Sequence, residues 1–527
     1  MEIDITIKNF RCFGDEKPAC FSLRSHGFAA FVGVNNSGKS SLLKMFYELR
    51  DVFTVLSIPK KRVTAVHSKA LQSFSIKPPI SDKNELFHNG NDRDITLGIK
   101  CNAPSHDGHE SLADLLITLP RNKNEFAVTI PSLQGADLSG VSSDQWLMEV
   151  KRPNDHSQLS LKALCEAMQS LGQAMYIGGF RNAINIGTKE DYFDIDIGQA
   201  FIKKWNEYKT GSIRDQNEAA GQLTRDISKL FGFDSLEISP TPDNQSLQLL
   251  INGKSFKLAE VGGGIAQFIV VLANVAIRRP TFVLIDEPEL HLHPTLQMDF
   301  LTTLGSLASE GVVFSTHNIG LARAGADRIY TVQMTDGVSE VRDLETTPRL
   351  SEFVGELGFS GYRELGFEKL LLVEGRTDVK TIQQFLRLYN KDHKCVLVPL
   401  GGSAMITKQS ESELEELKRI STDISVLIDS ERNGSDDPIP ADRQSFKEMC
   451  DGAEIPCCVL RRRATENYLA DHAVKRVKGK AYRALGKYES LKSVPMPWAK
   501  NENWRIARAM TIDDLNDTDL GEFLNNL

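Results

Sequence analysis

Eight residues at positions 33 to 40, Gly-Val-Asn-Asn-Ser-Gly-Lys-Ser, restrict what this chain can fold into more than any other part of it. The spacing Gly33, four residues, Gly38, Lys39, Ser40 suits a turn between a buried strand and a helix. Its glycines let backbone N–H groups approach an anion, Lys39 supplies positive charge and Ser40 offers a hydroxyl to Mg²⁺. The flanks agree. Residues 28–32 (Phe-Ala-Ala-Phe-Val) form an apolar run that enters the turn, and residues 41–50 read as a helix whose N-terminus faces the anion. Asn35, Asn36, Ser37 and Ser41 complete the residues expected around the phosphates of a nucleotide.

A second element lies far downstream. Residues 281–285 (Thr-Phe-Val-Leu-Ile) form a short apolar strand that ends on Asp286 and Glu287. An acidic pair at the carboxyl end of such a strand can hold Mg²⁺ through Asp286 and orient an attacking water through Glu287. Pro-Glu-Leu-His-Leu-His-Pro follows at 288–294, and a strand-like stretch at 312–314 leads into Ser315, Thr316, His317 and Asn318. With these phrases the chain resembles the ATP-binding-cassette class, in its SMC-like and OLD-like branch. The resemblance implies ATP as the nucleotide, Asp286 on the metal, Glu287 as general base and His317 as a sensor of the γ-phosphate.

About twenty residues before Asp286, Gly262, Gly263 and Gly264 open the apolar helical stretch 268–277. Three glycines there expose N–H groups to a phosphate, or simply cap a helix. In the family resembled, such a segment meets the nucleotide of the opposite subunit, so the resemblance implies a homodimer or a higher even oligomer. Residues 194–231 carry helical spacing (Ile197, Phe201, Trp205; Leu223, Ile227, Leu230), which reads either as a dimerising insertion, about 190–235, or as an ordinary helical lobe.

Composition excludes several classes. At 527 residues and 41% apolar content the chain is long enough for two or three domains. Its most apolar stretch, 268–277 with Asn274 inside it, is half what a membrane span needs, which counts against a transporter. Eight cysteines without a C-x-x-C pair fit a reducing, cytoplasmic setting. The net charge of −8 is not that of a protein that coats nucleic acid, but the stretch 461–487 carries Arg461, Arg462, Arg463, Lys475, Arg476, Lys478, Lys480, Arg483 and Lys487 against Glu466 and Asp471 alone. Such a run lines a phosphate backbone or is a solvated helix face.

The last third repeats the logic of strand ends. Residues 368–373 (Glu-Lys-Leu-Leu-Leu-Val) deliver Glu374 and Gly375, with Thr377 and Asp378 opening a helix. Residues 396–400 lead to Gly401 and Gly402, and residues 424–428 (Ile-Ser-Val-Leu-Ile) to Asp429, Ser430 and Glu431. Carboxylates at the carboxyl ends of parallel strands can gather divalent ions. This set resembles the TOPRIM fold of topoisomerases, primases and OLD nucleases, with Glu431 standing where the family's second aspartate is expected. Arg463 to Leu469 resembles the Glu-Asn-Tyr-Leu segment of OLD nucleases, which brings in Glu466. A late lysine of that family's site falls on Lys500, or else on Lys480.

Cassette head followed by TOPRIM is the order of the OLD family. The expected architecture is therefore α/β: an ABC-type ATPase domain at 1–345, a linker at 346–366 within a polar stretch that begins near 336, and a TOPRIM nuclease domain at 367–527 with a basic C-terminal helical part. The resemblance implies a DNA endonuclease of phage defence that uses ATP and Mg²⁺ or Mn²⁺. Glu374, Asp378, Asp429, Glu431 and Glu466 would hold metal, with Lys500 beside them, and the family often works with a helicase or a reverse-transcriptase/RNA partner. The competing reading is an ATP-binding sensor or scaffold whose TOPRIM domain holds nucleic acid without cutting it, and Glu431 is the residue that favours it. A strand-passing topoisomerase needs an active-site tyrosine on a separate domain, which nothing in the chain supplies.

Overall fold

The computed structural model describes residues 1–58, 72–75, 82–102, 110–111, 114–133, 137–142, 147–152, 155–179, 191–290, 292, 294–344, 369–392, 394–400 and 423–527. The chain divides into two compact units, one of residues 1–317 with 328–344 and one of 318–327 with 345–527.

In the first unit, a six-stranded sheet runs in the order Met175–Ile177, Phe282–Asp286, Gly311–Thr316, Gly27–Val32, Arg328–Thr335, Val338–Asp343. Its first five strands are parallel. Four of them, Met175–Ile177, Gly27–Val32, Phe282–Asp286 and Gly311–Thr316, are buried at every position, as strands covered on both faces must be, and they read as apolar runs up to their carboxyl ends for that reason. The strand Val338–Asp343 pairs antiparallel with Arg328–Thr335. The polar stretch expected from 336 therefore begins with a sheet edge, because alternate residues Ser339 and Val341 turn inward while Glu340 and Arg342 pair with each other outside.

A second, antiparallel sheet is built on Glu2–Lys8, whose alternation buries Ile3, Ile5 and Ile7. The sheet continues through Ile95–Asn102, Asp114–Leu119 and Glu125–Thr129. The helix Lys39–Glu48 takes part in the same core: Leu42, Leu43 and Phe46 are fully buried, and Phe21 meets Phe31 edge to face at 5.1 Å. Each such aromatic contributes about 2–3 kcal/mol by burial. Two helices, Gly198–Thr210 and Arg214–Leu230, bury Trp205, Leu223 and Ile227 on one face.

The second unit holds a four-stranded parallel sheet in the order Cys395–Pro399, Lys369–Val373, Ile424–Ile428, Cys457–Val459. Its core joins Leu370, Leu372, Val398, Val426 and Ile428 to Phe446 of the helix Ala441–Gly452. The short helix Ile319–Gly325 also folds here, and the nearby Asp327 forms an ion pair with Lys380 of the helix Arg376–Leu388 at 2.8 Å. Among the described residues, no helix is long and apolar enough to cross a membrane.

Candidate functional site

The first constellation sits at the carboxyl ends of three adjacent strands. Parallel register places Asp286 beside Ser315 and Thr316 beside Val32, so the acidic pair, the Ser-Thr-His segment and the phosphate-binding turn emerge side by side. The turn needs its glycines. A Cβ at Gly33 would stand 2.2 Å from the Val332 carbonyl oxygen, and Gly38, at φ 103°, has no room beside Cys12 and Phe13. The side chain of Lys39 folds back over the turn, and Nζ donates to the carbonyls of Gly33 (2.8 Å) and Val34 (2.9 Å). Burial lowers its pKa, against the opposing pull of Glu287, Asp286 and Glu289. Ser37 is buried and its Oγ has no hydrogen-bond partner, whereas Asn35 and Asn36 are exposed and Ser40 and Ser41 partly so.

On the acidic side, Asp286 accepts a hydrogen bond from Ser315 Oγ, which holds its carboxylate at the strand end. Glu287 sits at φ 51°, a left-handed conformation unusual for glutamate, with its N–H donating to the Ser315 carbonyl. That twist brings its Oε1 to 2.6 Å from His317 Nε2. Glu289 draws the loop and the Ser-Thr-His segment together, since its Oε1 accepts from Thr316 Oγ1 (2.5 Å) and from His317 N (3.1 Å). Burial, first of all, raises its pKa. Sequence reasoning passed over Glu289 as a site residue although its motif was in view. The histidines of that motif, 291 and 293, lie outside the described residues.

Gly262, Gly263 and Gly264 stand at the start of the helix Gly263–Arg278, where a Cβ on either of the first two would meet open space. They are exposed or half-buried.

The second constellation surrounds a cavity of about 560 Å³ lined by Glu374, Gly375, Thr377, Asp378, Asp429, Glu431, Pro440, Asp442, Arg443 and Lys500. Glu374 and Asp429 follow adjacent parallel strands, and Glu374 Oε2 accepts from Asp429 N at 3.2 Å. Asp429 is buried, and its Oδ1 accepts from Thr465 N (2.9 Å) and Thr465 Oγ1 (3.0 Å). Asp378 caps its own helix by accepting from Gly375 N at 3.0 Å. Glu466, on the short turn Thr465–Tyr468, pairs with Lys500 at 3.1 Å and keeps a buried Oε2 without a hydrogen-bond partner. Glu431, at φ 53°, is turned to Arg463 (2.5 Å).

The electrostatics are those of negative charge confined away from water. Burial pushes the Asp378 carboxyl up to about 7, against the pull of Lys500 and with added repulsion from Glu466 and Glu374. Burial likewise raises Asp429, with Asp378, Glu374 and Glu466 adding to it, and raises Glu374 in spite of Arg443. Raised carboxyls around one cavity mark a place that a cation would stabilise. Oxygen-only donors and the orphaned Glu466 oxygen fit a hard divalent ion such as Mg²⁺ or Mn²⁺. Among the described residues, however, no three acidic, His or Cys groups already stand gathered around a common ion position. Several of these carboxylates are instead paired with protein cations.

Of the two lysines weighed from sequence, Lys500 lines this cavity, whereas Lys480 is exposed and not part of the lining. Sequence reasoning missed Arg443 entirely, because an Asp-Arg pair inside a polar helix carries no local signal. Gly401 and Gly402 lie outside the described residues. Part of the basic run 461–487 is engaged within the unit: Arg462 lies over Tyr468, Arg463 pairs with Glu431, Lys478 with Glu502 and Arg483 with Glu489.

Comparison with known proteins adds four findings. The family model described as "AAA domain, putative AbiEii toxin, Type IV TA system" matches residues 28–323, more than half of the chain. A curated protein named OLD nuclease, from Thermus scotoductus, is 23% identical over 438 residues, covering 76% of this chain and 77% of that protein. Among solved structures, the SMC head domain from Thermotoga maritima aligns at 18% identity and TM-score 0.33, over 66% of this chain and all of that one. An SMC head bound to the C-terminal winged-helix domain of ScpA aligns at 15% identity and TM-score 0.35, over 65% and 97% respectively.

Proposed function

This chain belongs to the AAA-domain ATPase family and is an ATPase of the OLD family, and on that footing we propose that it is a divalent-metal-dependent DNA endonuclease, acting as a homodimer, whose cutting is governed by bound ATP. The observation that carries the nuclease reading is the convergence of Glu374, Asp378, Asp429 and Glu431 on one cavity, with Glu466 bonded to the Lys500 that lines it.

In the ATPase unit, the backbone of 33–38, with Asn35, Asn36, Ser37 and Ser41 around it, receives the phosphates. Lys39 turns from the Gly33 and Val34 carbonyls to the phosphate oxygens, and Ser40 and Asp286 would hold Mg²⁺. Glu287, aligned by His317, takes the proton of the attacking water, and His317 reports whether the γ-phosphate is present. Gly262, Gly263 and Gly264 serve the nucleotide of the second subunit. In the second unit, Glu374, Asp378, Asp429, Glu431 and Glu466 would hold the metal. Paired divalent ions bound there supply charge stabilisation to the entering and leaving oxygens of a phosphodiester. Lys500, within 3.1 Å of Glu466, orients that carboxylate and faces the cavity with its charge. Nucleotide control is supported by chain order: His317 is followed at once by residues 318–327, which fold against the helix that carries Asp378.

The test is nicking of supercoiled plasmid by the purified chain in Mg²⁺ or Mn²⁺. Glu374→Ala abolishes cutting, whereas Lys39→Ala leaves the cutting chemistry and removes its response to ATP. Nicking by Glu374→Ala at the parental rate would overturn the proposal. The alternative, a nucleic-acid-binding sensor that does not cut, is favoured by Glu431, whose carboxylate is turned to Arg463. It predicts DNA binding without nicking in either metal.

A further inference from the structure

Carboxylates crowd the second cavity, yet they are not gathered as a ready cation site, and the arginine on Glu374 offers a reason. Arg443 stands in the first turn of the helix Ala441–Gly452 with its side chain 5% exposed. One Nη donates to Glu374 Oε1 at 2.6 Å, the other to Asp442, and Nε is buried without a hydrogen-bond partner. The same residue lines the cavity. A guanidinium so deep in the protein is costly to desolvate unless a fixed anion compensates it. Glu374, with 13% of its side chain exposed, has the matching need.

We propose that Arg443 is a built-in counter-cation of the second site: it holds Glu374 in position in the absence of a divalent ion and competes with that ion for Glu374 Oε1. The inference rests on the reading of this cavity as a metal site. Glu374 Oε2 is already engaged by Asp429 N, so an ion approaching Glu374 meets an oxygen that the guanidinium occupies. Binding of the ion therefore includes the work of separating the pair, and the apparent affinity is lowered by that amount. Arg443 is a positioning residue in this scheme, and its removal should tighten metal binding, the opposite of what loss of a merely structural support would do.

The experiment is calorimetric titration of the full-length, nucleotide-free protein with MnCl₂ at pH 8, comparing the parent, Glu374→Ala, Arg443→Met and Arg443→Lys. Glu374→Ala subtracts Mn²⁺ bound elsewhere. From the strength of a charge-assisted hydrogen bond, Arg443→Met is expected to bind Mn²⁺ about tenfold more tightly than the parent. Arg443→Lys, which keeps a charge but not the planar fork, is expected to gain less, about threefold. In EDTA the Met variant melts below the parent, and added Mn²⁺ raises its melting temperature by more than it raises the parent's. Equal or weaker Mn²⁺ binding by both Arg443 variants, with parental circular dichroism in either one, overturns the inference while leaving the metal site intact. Absence of Glu374-dependent Mn²⁺ binding in the parent overturns the metal reading and the inference together.

Discussion

Asp378→Asn puts the electrostatics of the second cavity to a quantitative test. The carboxyl of Asp378 is buried, and its pKa stands at about 7 against an ordinary 3.8, with burial as the main cause. A folded pKa above the unfolded one means that the native state holds the proton more tightly. The stability this contributes is fully present below about pH 4 and is lost as pH rises through about 7. The gap of roughly three units corresponds to about 4 kcal/mol, with a slope of about 1.4 kcal/mol per pH unit in between. A neutral amide has no charge to desolvate and can still accept from Gly375 N, so the helix cap survives. Without divalent ions at pH 8, Asp378→Asn should therefore stabilise the unit by up to about 4 kcal/mol and flatten its pH dependence between 5 and 8. Hydrogen exchange of the helix Arg376–Leu388 in EDTA reads this directly, because it reports the opening of that element and not of the whole chain. Mn²⁺ at pH 8 should protect the parent helix and do little for the variant. A parent whose protection is flat from pH 5 to 8, or a variant less protected than the parent at pH 8, refutes the reasoning.

Other outcomes follow from the same contacts. Glu287→Gln should keep fluorescent-nucleotide binding while ATP hydrolysis falls about 10²- to 10⁴-fold, the range for loss of a positioned base, and equal loss of both would place Glu287 in binding instead. Asp194→Ala leaves Arg50 without the carboxylate that it grips through both terminal nitrogens and removes the acceptor for Tyr176 N. Urea unfolding of the first unit should show a loss of about 3–5 kcal/mol. Phe46→Ala, which empties a fully buried site beside Phe21 and Phe53, should cost about 3–5 kcal/mol by the same measurement. Glu431→Asp, shorter by one methylene and thus drawn away from Arg463, should raise Mn²⁺ affinity in calorimetry if its present pairing restrains it.

The motifs that resemble known families were legible because their physics is local. A phosphate-binding turn needs Gly33 where backbone meets backbone and Gly38 where φ is positive, and a parallel strand covered on both faces must read as a dominantly apolar run, as 282–285 and 424–428 do. The antiparallel sheet was only partly legible: residues 94–99 read as a polar strand, but that strand pairs with Glu2–Lys8 from the start of the chain, a partnership that no local pattern records.

By itself, then, the order of residues determined which strand ends carry acid or glycine, and hence which two chemistries the chain can support. Only the tertiary structure decided which charges meet: that Glu289 ties the Glu287 loop to His317, that Lys500 and not Lys480 lines the second cavity, and that Arg443 lies on Glu374. Those partners are 28 and 69 positions apart for the glutamates concerned. Electrostatic energy depends on distance in space and on exclusion of water, and neither can be read along a chain until the sheet has brought its ends together.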